Sequence, residues 1–112
     1  MKHEHIKQFE IATEPPAKRV LRKARELIES GWCQGRPHNG LRTKRCASQA
    51  IFDATPYHVD GLADVRLAES AELYFIHAIG GEGIPGWNDA PYRTKEEVLA
   101  AFDRAIRMVS ND

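Results

Sequence analysis

Apolar residues recur at helical spacing in four stretches of the chain. Val20, Leu21, Ala24, Leu27 and Ile28 share one face, and Lys18, Arg19, Arg22, Lys23, Arg25, Glu26 and Glu29 take the rest. This predicts a helix from near Thr13 to Ser30. Thr13 serves as its N-cap, Glu14 sits at the positive helix end, and Pro15 and Pro16 fit the first turn, where backbone N–H groups have no partner anyway. Gly31 is expected to close the helix in a left-handed conformation, with Trp32 in reach of Leu27.

Cys46, Ala47, Ala50, Ile51 and Ala54 form a second stripe of small residues, on a helix expected from about Thr43. Thr55-Pro56 ends it, because the residue before a proline avoids the helical region. A third helix is expected from Asp60, with Leu67, Ala68, Ala71, Tyr74, Phe75, Ala78 and Ile79 on its face and Gly80-Gly81 as its stop. Leu73 to Ile79 is nearly continuous in apolar residues and also reads as a buried strand. The Ala, Glu and Leu content of 62–73 favours helix. Thr94 and Glu97 make a Thr-x-x-Glu capping box for a last helix that buries Val98, Phe102, Ala105, Ile106 and Val109.

Between these elements lie two loops rich in turn residues, Cys33 to Arg42 and Gly80 to Arg93. The fold class that follows is all-α: a single, mainly helical domain over residues 13–112, with about four helices and two Gly/Pro-rich loops. Residues 1–12 read as a flexible tail. His3 and His5 there lack a third ligand for a metal.

Composition narrows the class. The chain has 112 residues, enough for one self-sufficient core. It has no apolar run of membrane-spanning length, and no apolar core behind Met1-Lys2-His3-Glu4-His5 to suggest a signal peptide. A cytoplasmic setting, with reduced cysteines, is the expectation. The net charge is zero but divided: residues 1–56 carry eleven Lys/Arg against six Asp/Glu, and residues 57–112 five against ten. The halves can complement each other within the fold or across a homodimer.

Candidate chemistry gathers around Gly31 to Ala54. Cys46, near a helix start beside Lys44 and Arg45, could act as a nucleophile, with His58 or His77 as base and Asn88 or Asp89 to orient it. The papain-like signature around such a cysteine is absent, and its apolar neighbours argue instead for a small buried thiol. Cys33, His38, Cys46 and His58 follow no zinc spacing, so no metal and no cofactor are expected. Trp32, Cys33, Gln34, Trp87, Asn88 and Asp89 are the candidate ligand-binding residues. For Trp87-Asn88-Asp89 a structural role is favoured: Asp89 paired with Arg93, Asn88 bonded to the loop before Thr94, and Trp87 pinning that loop to the core near Trp32. Arg36, His38, Arg42, Lys44 and Arg45 form a basic run, but without interleaved aromatics or a recognition helix.

The Gly31-Trp32-Cys33-Gln34-Gly35 segment after a helix, Cys46-Ala47 with Ala50 opening another, and the run from Trp87 to Val98 together resemble a family of small bacterial and phage proteins, the domain-of-unknown-function family numbered 6197. The likeness runs from about Val20 to Ile106. Ser48-Gln49 departs from it, where a larger apolar residue and glycine are expected, as does the short loop between Gly35 and Cys46. The family carries no assigned activity, so the resemblance implies a fold and no reaction. The functional expectation is a non-catalytic accessory protein that contacts another protein or a small ligand. A cysteine-dependent hydrolase or transferase is the alternative, and a nucleic-acid binder the third reading.

Overall fold

The described residues form five helices: α1 (Pro16–Ser30), α2 (Ala47–Ala54), α3 (Val65–Ala78), α4 (Ile84–Asn88) and α5 (Lys95–Met108). The computed structural model describes residues 14–57 and 64–110. The expected tail, the Thr13 and Asp60 caps and His58 lie outside them. Among the described residues no helix is long and apolar enough to cross a membrane.

The stripes meet as the periodicity requires. α1 packs on α2, α3 and α5, and α3 packs on α5. Leu21, Ala24, Ile28, Ala50, Ile51, Ala71, Phe75, Val98 and Phe102 are fully buried where they converge. Phe75 lies at the centre, tilted against Phe102 at 4.6 Å and edge-on to Trp87 at 5.7 Å between ring centroids. The Leu73–Ile79 stretch is helical: Leu73 is exposed, while Ala71, Phe75 and Ala78 are buried, so burial follows the 3.6-residue period.

Several helix ends are satisfied from other elements. Lys95 Nζ donates to the Glu29 carbonyl at the end of α1, and Arg104 Nε to the Ala78 carbonyl at the end of α3. Gly80 and Gly81 have φ of 87° and 92°, and their N–H groups return to His77 and Ile76, as the Gly-Gly stop predicts. The Thr94–Glu97 capping box is present with both reciprocal bonds. Arg25 pairs with Asp103 at 2.7 Å across α1 and α5. Arg22 grips Glu14 with two bonds of 2.8 Å, and this guanidinium holds the Glu14 carboxyl below its usual range.

Four local expectations need correction. α1 starts at Pro16, with Pro15 as an N-cap that makes no side-chain bond; Pro15 itself precedes a proline and is held out of the helical region. α2 starts at Ala47 and not near Thr43, because residues 44–46 are committed to pairing with residues 31–39. α4 arises inside the expected Gly80–Arg93 loop, with Pro85 in its first turn. The fourth correction concerns Gly31, which has φ 177° and ψ 128°, extended backbone open to any residue.

Sterics, and not a left-handed turn, require that glycine. A Cβ built on Gly31 would stand 2.1 Å from the Thr43 carbonyl oxygen. The chain leaves α1 straight into pairing with Arg45, whose N–H donates to the Gly31 carbonyl at 3.1 Å. Gly31→Ala should therefore cost well over about 1 kcal/mol, since relief requires moving backbone. The denaturant midpoint checks this; an unchanged value would show that the 43–45 segment yields freely.

Candidate functional site

The segment between α1 and α2 is built by short pairings around Arg45. Its N–H and carbonyl bond to Gly31 and Cys33, a parallel bridge with Trp32. On its other side the Cys46 N–H reaches the Pro37 carbonyl at 2.8 Å and the Asn39 N–H reaches Lys44, an antiparallel bridge with His38. Asn39 Oδ1 accepts from the Thr43 and Lys44 N–H groups and closes the intervening turn, in which Gly40 and Arg42 have positive φ. The Arg45 side chain is tied to Asp53 at 2.7 Å, and Asp53 also accepts from Gln49 Nε2. The basic run is thus partly spent inside the fold, with Arg36, Arg42 and Lys44 exposed.

Asn88 joins this segment to α4. It is 0 % exposed, and its amide makes four bonds. Oδ1 accepts from the Trp32 indole at 2.7 Å and from the Ala47 N–H at 3.0 Å. Nδ2 donates to the Cys33 carbonyl at 3.1 Å and to Asp89 Oδ1 at 2.9 Å. Gln34 Nε2 bonds the Asn88 and Ala90 carbonyls, and the Gly35 N–H bonds Asp89 Oδ1. The expected ligand-binding residues Trp32, Cys33, Gln34, Trp87, Asn88 and Asp89 are therefore brought together, but mostly to bond one another. Trp87 is a core ring, as the structural reading expects. The expected partners of its neighbours differ. Asn88 reaches across to Trp32, Cys33 and Ala47, not to the loop before Thr94. Asp89 receives Gly35 and Asn88, while Arg93 lies over the Trp87 ring at 4.0 Å and bonds the Trp87 carbonyl.

A groove of about 490 Å³ opens beside this knot. Gly35, Arg36 and Pro37 form one wall, and Cys46, Ser48, Gln49 and Phe52 the other; Glu72 of α3 and Pro85 and Asp89 complete it. Cys46 is not packed on the α2 stripe as a buried thiol. It is half-buried and is the N-cap of α2, its Sγ accepting from the Gln49 N–H at 3.4 Å. Its backbone N–H is held by Pro37, which keeps it out of the helix proper. Cys33 donates its thiol to the Arg36 carbonyl at 3.6 Å, and burial, helped by the neighbouring Cys46, pushes its thiol up in pKa, away from the activated thiolate.

The other candidate partners stand apart. Among the described residues no histidine lines the groove: His77 is exposed on α3, and His38 Nδ1 accepts from the Gly40 N–H. Among the described residues no cluster of His, Cys, Asp and Glu could hold a metal ion. Phe52, Ser48, Pro85 and Glu72 are groove residues that the sequence did not single out. Phe52 had a signal, a large ring off the small-residue stripe of α2 and 47 % exposed. Glu72 had none.

Glu72 is half-buried, and among the described residues neither it nor Ser48 has a hydrogen-bond or ion-pair partner for its side chain. Burial first, then the like charge of Glu69, raises the Glu72 carboxyl above its ordinary value. The folded state therefore holds the Glu72 proton more tightly than the unfolded chain does.

A family model for a family of unknown function, DUF6197, matches residues 12–108, and the chain belongs to that family. No curated protein and no solved structure matches it.

Two predictions come from this geometry. Asn88→Ala should cost about 2–5 kcal/mol, because it strands the buried Ala47 N–H and the half-buried Trp32 indole, and it should blue-shift or broaden Trp32 fluorescence. A loss near zero would show that water replaces the amide. Glu72→Gln should leave the melting temperature unchanged or raised at neutral pH. A raised folded pKa means that stability falls as pH climbs through it, so any gain should fade in acid. A clear loss of stability at neutral pH would contradict this.

Proposed function

We propose that this protein is a non-catalytic binding protein whose site is the groove between the Gly35–Pro37 wall and α2, and that its ligand is a small molecule. The observation that carries the reading is the contrast within the site. The walls are fixed by the fully satisfied Asn88 network, while Glu72 and Ser48 face the groove without partners among the described residues. Rigid walls around a few unspent polar groups are what a preformed ligand site consists of. The half-exposed Phe52 ring and two prolines supply apolar contact.

A cysteine hydrolase or transferase is the second reading, favoured by one observation, that Cys46 borders the same groove. Against it, the described residues place no histidine there to act as base. The binding reading includes a cytoplasmic, phage-related setting, supported by two unbridged cysteines and by the family resemblance.

Amide chemical-shift mapping with a small-molecule fragment library tests the proposal. Shifts should concentrate at Ser48, Gln49, Phe52, Glu72 and Asp89 and spare the α1–α5 face, and Cys46→Ser should retain binding. Fragments that cluster elsewhere would remove the groove from consideration. Catalytic turnover of activated esters through a transient acyl adduct on Cys46, lost in Cys46→Ser, would put the hydrolase reading first.

A further inference from the structure

Within the groove, the open acceptors outnumber the open charged donors. Gln49 turns its NH₂ to the Asp53 carboxylate at 2.8 Å, so its carbonyl oxygen is the end of the amide with no partner among the described residues. Asp89 uses Oδ1 for Gly35 and Asn88, and its second carboxylate oxygen has no partner among the described residues. Glu72 brings a whole carboxylate that nothing among the described residues pairs. Against these stand one guanidinium, Arg36 on the exposed rim, and the Ser48 hydroxyl. The lining thus carries two carboxylates to one cation.

An aromatic face completes the set. Phe52 lines the same groove with its ring 47 % exposed, on the helix that carries Ser48 and Gln49. A ring face attracts a cation, and the neighbouring prolines offer flat apolar contact to whatever body carries it.

We infer that the groove takes a small organic cation, a protonated amine on a flat apolar body, whose ammonium is held by Glu72 and Asp89 while the body lies against Phe52. This rests on the groove being the ligand site. A cation would supply the partner that Glu72 lacks among the described residues, and so offset the cost that burial and Glu69 impose on its charge. A neutral ligand of the same shape gains only the apolar contact. An anion would face two carboxylates, with only the rim arginine in its favour.

Four probes of one shape and different charge test this on the intact chain: 2-phenylethylamine, 2-phenylethanol, 3-phenylpropionate and phenylalanine, followed by amide chemical shifts. The amine should move the Ser48, Phe52, Glu72 and Asp89 amides and bind about tenfold more tightly than the alcohol, the scale of a charge-assisted bond in a half-buried site. Glu72→Gln should remove most of that preference and leave the alcohol unaffected; Phe52→Leu should weaken both. Neither substitution touches a fully buried side chain, so both variants should fold. Equal binding of amine and alcohol would overturn the cation and leave the groove as an apolar site. Tighter binding of the propionate, or of phenylalanine with a preference that Glu72→Gln leaves intact, would overturn it in favour of a carboxylate read by Arg36. No shift at the groove amides with any probe would overturn the cation, and the fragment library would then decide the groove itself.

Discussion

The structure turns on one buried amide. Asn88 spends its donors and acceptors on two distant pieces of chain: the Trp32 indole and Cys33 carbonyl of the segment after α1, and the first N–H of α2. An asparagine with no exposure is costly unless each of its polar atoms is bonded, and here each is. α2 spans eight residues, too few to hold itself together in water. Its first N–H is satisfied by a residue of α4, so the wall depends on Asn88.

The same amide explains why the candidate residues split into two classes. Trp32, Gln34, Trp87 and Asn88 are consumed by the scaffold, while Cys46, Phe52, Glu72 and the outer edge of Asp89 line open space. A residue type suited to ligand binding serves equally well as a structural clamp; what separates the two is whether its hydrogen bonds are already made. Cys46 sits on the boundary, capping α2 with its sulfur while bordering the groove.

The helices were legible because their burial is periodic: Val20 to Ile28, Ala68 to Ile79 and Val98 to Val109 each show one apolar face, and Thr94 with Glu97 marks a start by local chemistry alone. The site was legible only in composition. Asn88 carries no mark that it bonds residues 41 and 56 positions away, because side-chain pairings at such range leave no local pattern. For Gly31 the residue type was informative and the reason was not. Glycine serves both a left-handed turn and a close approach, and only the position of Thr43 tells them apart. Glu72 looks like any solvated helix carboxylate until α2 is laid against its helix.

The long reach of the Asn88 bonds also bears on how the molecule assembles. α1 and α5 can form from contacts near in sequence, but the groove closes only when two segments more than forty residues apart are already in register. Its formation is a non-local event, in which the loop entropy must be met before the contacts are made. The recess therefore has no independent existence in a partly folded chain, and a lesion anywhere that loosens α4 is felt at α2 as the loss of its first turn.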